Sequence, residues 1–283
     1  MKKSMAVMMA AVMAISMAGC SSQSAETTAA SAETTAAAAE TTAAAATTAA
    51  ETAAKEAEAP AEDKGVLKVG SDCTFAPFEY EENGSYTGFD IDLMEAMAKE
   101  MGYSDVEFVN TEFKGLIPGL TAGKFDVIAS AMYMTDERKE TIDFSDSYFP
   151  GGLCIMVQND NTDITGPDSL SGKRVAVQVG TKSVTYLEEN YPDVERVEVE
   201  QNAEMFLQLE TGKVDAVVTG RPAAMVYAKE SGKVKVLDEG LTEELYGWGV
   251  RKGETELVDS LNTALAALKE NGTYDEIKAK YFE

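Results

Sequence analysis

Two tetrapeptides, Gly123-Lys124-Phe125-Asp126 and Gly212-Lys213-Val214-Asp215, each follow an apolar helical segment and each open an apolar strand. The same order of elements recurs around them. In the first half, 66–70 reads as a buried strand. A helix over 90–101 then gathers Ile91, Met94, Ala98 and Met101 on one face, with Gly102 at its C-cap. A strand over 106–109, a helix over 113–122 and a strand over 125–128 complete that half. The second half reads as a strand over 174–179, a helix over 183–189, a strand over 196–199, a helix over 203–210 and a strand over 214–218. Alternation of this kind predicts an α/β chain of two lobes, each a mainly parallel sheet flanked by helices, with ligands at the carboxyl ends of the strands. Segments 151–157 and 245–250 read as extended crossings, so the hinge has two segments. The last helix carries Val258, Leu261, Leu265 and Leu268 on one face, with Gly272 near its end. Lobe 1 is thus expected over 65–153 and 246–283 and lobe 2 over 154–245, enclosing a cleft that can close on a small molecule.

The chain before Gly65 is of another kind. Met1-Lys2-Lys3 precedes an apolar run to Ala18 that is too short to span a bilayer, so residues 1–19 read as a signal peptide. Met17-Ala18-Gly19-Cys20 resembles a bacterial lipobox, in which Cys20 takes an acyl-bearing diacylglyceryl group and becomes the mature N-terminus. From residue 21 to 64 the composition collapses to Ala, Thr, Ser and Glu, with Glu-Thr-Thr-Ala-Ala recurring at Glu26, Glu33 and Glu40. Such a segment has no large apolar side chain with which to offset its ordering entropy and reads as a disordered tether. Segment 20–64 would therefore hold the folded part off a membrane surface, with the lipid as its anchor.

Charge narrows the function. The chain of 283 residues carries a formal charge of −25 and contains no histidine. From Gly65 onward 20 basic side chains face 41 acidic ones, so the acidity belongs to the folded part. A nucleic-acid partner needs a basic stripe and is excluded. Without histidine the Ser-His-Asp and Cys-His mechanisms are excluded too, and no metal site or cofactor is expected. Cys73 and Cys154 remain, and export permits a disulfide; two small buried thiols are the other reading.

Eight stretches carry a specific resemblance. They are Leu67-Lys-Val-Gly-Ser-Asp-Cys-Thr-Phe-Ala-Pro-Phe-Glu79, Gly88-Phe-Asp-Ile-Asp-Leu93, Gly115-Leu-Ile-Pro-Gly-Leu120, Thr135-Asp-Glu-Arg-Lys139, Ile142-Asp-Phe-Ser-Asp146, Leu170-Ser-Gly-Lys-Arg-Val175, Gln178-Val-Gly-Thr181 and Asn271-Gly-Thr-Tyr-Asp275. In order and at this spacing, they resemble the bacterial extracellular solute-binding proteins of family three, the amino-acid-capturing components of ABC importers. The resemblance implies the type II periplasmic-binding-protein fold.

It also implies roles for individual residues. Arg138 matches the arginine that clamps a ligand α-carboxylate, chemistry suited to a planar guanidinium fork. Asp72 and Phe75 match the acidic and aromatic positions that meet the ligand side chain. Ser130, Ala131 and Tyr133 stand where the family offers a hydroxyl and carbonyls to the α-ammonium. Gln178 opens the motif that leads to Thr181 and Lys182, in the turn where N–H groups of a second-lobe helix favour a carboxylate. Three positions depart from the pattern: the family usually has Ser or Thr at Tyr133 and at Lys182, and at Gly220 an Asp that pairs with the α-ammonium. Either the ligand lacks a free α-ammonium, or Tyr133, Asp72 or Glu112 supplies the acceptor, or the aromatic group at Tyr133 presents a cation–π face. Lys182, Arg138 and Arg221 lean toward a ligand with extra negative charge. The expected function is that of a monomeric lipoprotein, exported and anchored at the outer face of the cell membrane or on a periplasm-facing membrane. It captures an amino acid or a related small carboxylated solute and delivers it to membrane permease subunits. A carboxylate-dependent, dehydratase-like enzyme on the same fold is the alternative, with Glu112 and Asp72 as candidate acids.

Overall fold

A computed structural model describes residues 63–283; the signal segment, Cys20 and the tether up to residue 62 lie outside the described residues. Two five-stranded sheets organise the described chain. The first runs in the order Asp105–Asn110, Val66–Ser71, Val127–Ile128, Gly249–Arg251, Ile142–Phe144, and the second in the order Glu195–Val199, Arg174–Gln178, Ala216–Gly220, Leu153–Gln158, Val234–Gly240. The first three strands of each order are mutually parallel, and the fourth is antiparallel to both its neighbours. The same architecture is thus built twice.

The antiparallel strand has a mechanical origin. Phe149–Pro150 pairs with Leu245–Tyr246 in a two-stranded ladder, where the chain leaves one lobe and returns from the other. Leu153 then enters the second sheet opposite Gly220, the last residue of its strand. A strand that enters at the carboxyl edge of parallel neighbours must run against them. Gly249, opposite Ile128, enters the first sheet in the same sense on the return. Both crossings therefore lie at the carboxyl ends of both sheets, which is where the cleft forms.

Helices cover both faces of each sheet. On one face of the first sheet Leu116 and Leu120, from the helix Phe113–Thr121, pack with Phe125, Ile128, Met132 and Ile142. The other face carries Leu67, Val69 and Val127 against Met94 and Met97 of the helix Phe89–Glu100. In the second lobe Met205, Phe206 and Leu209 of the helix Asn202–Glu210 close over Met156, Ala176 and Val217. Aromatic side chains concentrate behind the crossings, where Phe78, Phe89, Phe149 and Phe282 meet edge to face or tilted. Beside them Tyr148 stacks on Trp248, with ring centroids 4.4 Å apart.

Several elements were not read from the sequence. Gly272, at φ +87°, ends one helix and starts another, so the last expected helix is two, Thr255–Glu270 and Thr273–Phe282. The stretch after the first strand forms a small three-stranded sheet over Thr74–Phe75, Glu79–Glu82 and Ser85–Thr87. The crossing expected over 245–250 is broken at Gly247 and Trp248 into two short strands.

Trp248 is fully buried, so Trp248→Ala leaves a void under the returning strand. We expect a loss of about 3–5 kcal/mol, seen as a lower urea midpoint at unchanged slope.

Candidate functional site

Four strands end on one cavity. The first strand, Val66–Ser71, delivers Asp72, and Val127–Ile128 leads to Ser130, Ala131 and Tyr133. From the second lobe Arg174–Gln178 ends in Gln178, and Ala216–Gly220 ends in Thr219 and Gly220. Phe75, Glu79, Phe113, Thr181, Ser183, Asn202 and Tyr246 complete the lining. The free volume inside is about 30 Å³, room for about two water molecules.

Polar side chains tie the lobes together across it. Gln178 Nε2 donates to Asp72 Oδ2 at 2.5 Å, and Asn202 Nδ2 donates to Gln178 Oε1 at 3.1 Å and to Thr74 Oγ1 at 3.3 Å. Thr74 Oγ1 donates in turn to Asp72 Oδ1 at 2.9 Å. In the first lobe Asp72 N donates to Ser130 Oγ, and Ser130 Oγ to Glu79 Oε1, both at 3.0 Å. Glu79 Oε2 is buried and has no hydrogen-bond partner. Behind it, Asp90 Oδ2 accepts from Ala131 N at 2.9 Å and from Tyr148 OH at 2.7 Å. The Ala131 bond holds a non-glycine residue at φ +40°, a conformation that needs such external support.

Burial raises all three carboxyl groups. Asp72 rises least freely, because the Thr74 and Gln178 donors favour its charged form. Glu79 is held well above the usual carboxylate range by burial and by the neighbouring Asp90. Asp90 is pushed up to about 7 by burial against its two donors.

Two tyrosines occupy the space opposite Gly220. Tyr133 OH donates to Gly152 O at 2.9 Å, Tyr246 OH donates to Tyr133 OH at 3.2 Å, and the rings lie 4.7 Å apart. A Cβ on Gly220 would press on the Tyr246 hydroxyl and stand 3.3 Å from Tyr133 OH and from Phe75 Cζ. Gly152, at φ +93°, lets the acceptor carbonyl reach Tyr133.

Of the residues singled out from sequence, Asp72, Phe75, Ser130, Ala131, Tyr133, Gln178, Thr181 and Gly220 converge on this cavity. Arg138 and Lys182 instead line an outer cleft of about 630 Å³, which Thr181 also borders. Arg138 donates to Tyr133 O at 3.0 Å and across the lobes to Gly180 O at 3.2 Å, with its guanidinium 5.3 Å from the Phe113 ring centre. Burial lowers its pKa to about 10, so it stays charged at neutral pH. Lys182 pairs with Glu189 at 3.8 Å, and Arg221 donates to Leu237 O at 3.2 Å. Among the described residues no Lys or Arg lines the inner cavity, and its charged groups are acids. Glu112 is exposed and pairs with Lys114 at 3.4 Å, which removes it as a cleft acid or ammonium acceptor. Cys73 and Cys154 are both free, buried thiols, each pushed up to about 12 by burial.

Sequence reading missed Glu79, Phe113, Ser183, Asn202, Thr219 and Tyr246 as cavity residues. Glu79 carries a readable signal, a carboxylate directly after the apolar Phe-Ala-Pro-Phe run. Asn202 and Tyr246 come from distant segments and have no local signal.

Gly220→Ala is expected to cost about 1–3 kcal/mol by forcing the tyrosine pair aside, read as a lower thermal midpoint than wild type. For Asp90, the unfolded group titrates near 3.9 and the folded one near 7. Between those values the folded protein keeps a proton that the unfolded chain has released, so this group makes stability fall as pH rises from about 4 to about 7 and adds nothing further above. Urea unfolding across that window should show a fall shallower by on the order of 1 kcal/mol per pH unit in Asp90→Asn; identical slopes would refute the assignment.

Comparison with known proteins places this geometry. A family model described as bacterial extracellular solute-binding proteins, family 3, matches residues 67–283. A probable amino-acid-binding protein of Bacillus subtilis (strain 168), YxeM, is 36% identical over 226 residues, covering 78% of this chain and 85% of that protein. ABC transporter arginine-binding protein 1 of Escherichia coli (strain K12) is 32% identical over 222 residues, covering 76% and 90%. Among solved structures, an ancestral arginine-binding protein bound to arginine superposes with a TM-score of 0.74 at 42% identity, over 78% of this chain and 99% of that one. The ancestral amino-acid-binding protein AncCDT-1, a precursor of cyclohexadienyl dehydratase, does so at 0.73 and 43% identity, over 77% and 96%. Twin sheets joined by paired crossings, a cavity at their carboxyl ends and a family match running to the last residue lead to one assignment: the chain belongs to family 3 of the bacterial extracellular solute-binding proteins.

Proposed function

We propose that this chain is the solute-capturing component of an ABC importer, which takes an amino acid or a closely related carboxylated solute and hands it unchanged to a membrane permease. One observation carries the reading: a single cavity is assembled from the carboxyl ends of both sheets, so occupancy depends on how the lobes sit. The cavity is walled by both lobes, so a solute reaches it when they part about the crossings and is held when they close again. Segments 65–153 with 246–283 act as one lobe and 154–245 as the other. Arg138 holds the carboxylate end at the mouth, since two carbonyls leave the rest of its N–H fork free. Asp72, Phe75, Ser130, Ala131, Tyr133, Gln178, Thr181 and Gly220 surround the remainder, with Lys182 at the outer rim. Cys20 carries the lipid, and the protein works as a monomer at the membrane surface.

The relatives named as amino-acid-binding and arginine-binding proteins support this reading. A dehydratase on this fold would consume its ligand, and the kinship with AncCDT-1 makes that outcome worth measuring. Thermal unfolding against L-amino acids, betaines and dicarboxylates tests both. A solute at ~100 times its dissociation constant should add about 2.7 kcal/mol and be recovered intact. Arg138→Ala should weaken that solute about 100-fold, close to 2.7 kcal/mol by calorimetry; unchanged affinity would remove Arg138 from the site, and product formation would favour the enzyme.

A further inference from the structure

Glu79 is the anomaly of the cavity. Its side chain begins the strand Glu79–Glu82, is 1% exposed and lines the cavity, yet Oε2 bonds to nothing. The groups that face it are Asp72 and Cys73 after the first strand, Asp90 on the helix Phe89–Glu100, Ser130 after Val127–Ile128, and the hydroxyls of Tyr148 and Tyr246. From the second lobe the lining offers Gln178, Thr219 and Asn202, all neutral. None of these is a cation. The nearby basic side chains, Arg138 between two carbonyls at the mouth, Lys182 beside Glu189 and Arg221 on Leu237 O, do not line the cavity. The aromatic side chains of Phe75, Phe113, Tyr133 and Tyr246 also line it.

Resting on the reading of this cavity as the solute site, we infer that it takes the cationic end of a solute and that Glu79 gives up its proton as the solute enters. The balance is simple. The protonated carboxyl loses H⁺ to the buffer, the carboxylate pairs with the incoming ammonium or guanidinium, and the net charge of the buried site changes by that of the solute less one proton. Two circumstances make the exchange favourable. Burial and Asp90 keep the carboxyl protonated before entry. A cation within contact distance then reverses the preference, since an opposite charge in a low-dielectric site favours the ionised form, and aromatic faces add to the attraction. Ser130 Oγ accepts from the Asp72 backbone amide and donates to Glu79 Oε1, which fixes Glu79 beside the end of the first strand. Capture is thereby pH-dependent: each proton released makes affinity rise with pH, up to tenfold per unit, as long as the free carboxyl is protonated.

The test is calorimetry of the purified protein with L-arginine, L-lysine and L-ornithine, and with neutral L-citrulline and L-glutamine, in two buffers of equal pH and different ionisation enthalpy. A cationic solute should release a proton from the protein, and its affinity should climb with pH over the range in which the free carboxyl holds that proton. Glu79→Gln should abolish both the release and the slope, whereas Asp90→Asn, which leaves burial to raise Glu79, should keep a release shifted to lower pH, which separates Glu79 from its titrating neighbour. If Glu79→Gln does not fold, by circular dichroism, the wild-type proton count decides. Cationic solutes that bind without proton release, or no better than citrulline, overturn the inference while leaving the importer reading intact. So does binding confined to neutral solutes. Failure of every solute to bind overturns the reading on which it rests.

Discussion

Both sheets admit the crossing strand at the carboxyl edge of their parallel strands, and the rest of the molecule follows from that. The ladder Phe149–Pro150 with Leu245–Tyr246 brings the outgoing and returning chains side by side. Because entry is at that edge, Leu153–Gln158 and Gly249–Arg251 both run against their neighbours, and the carboxyl ends of two sheets face one another across a short hinge. Strand ends are where backbone pairing stops and loop side chains take over, so Asp72, Ser130, Gln178 and Gly220, far apart in the chain, arrive together. The aromatic packing of Phe78, Phe149, Tyr148 and Trp248 holds the hinge ladder on the first lobe.

Within that frame the chemistry is set by what is buried without a partner. Three carboxyl groups share one low-dielectric region of the first lobe, and donors satisfy them unequally. Asp72 receives hydrogen bonds from Thr74 and Gln178, Asp90 from Ala131 and Tyr148, and Glu79 only from Ser130. Leaving a buried acid partly unsatisfied is costly unless it keeps its proton or meets a counter-charge. Glu79 Oε2 and Asp90 Oδ1 are both left without a donor, and of the two residues only Glu79 lines the cavity.

The tyrosine pair shows a second trade. Gly220 supplies no side chain, and Tyr133 and Tyr246 fill the space, with Gly152 carrying the acceptor carbonyl. The cavity wall there is made of hydroxyls and ring edges where a charged side chain could stand. Volume at Gly220, bulk at Tyr133 and the carbonyl of Gly152 are one solution, and none can change alone without strain or a lost hydrogen bond.

The sequence by itself determined the repeated alternation of strand and helix and the two crossings, because apolar periodicity is a local property of a chain, and its resemblance to a family pointed to eight of the cavity's residues. Its family followed from the same stretches. What it could not carry was direction. Arg138 stands in the short helix Asp136–Thr141 and Lys182 opens the helix Lys182–Asn190, but whether a long side chain points inward or to the rim depends on which carbonyls and carboxylates lie within reach, here Tyr133, Gly180 and Glu189. Glu79 was visible as a residue and not as a cavity wall, because its place is set by the Ser130 hydroxyl 51 positions away in the chain. Tyr246 came from still farther, brought to Tyr133 by the hinge ladder. Local pattern settles which elements form, since it needs only neighbours in sequence; only tertiary structure decides the sign of the cavity's charge, since that depends on which side chains from distant segments are buried together and which find partners elsewhere.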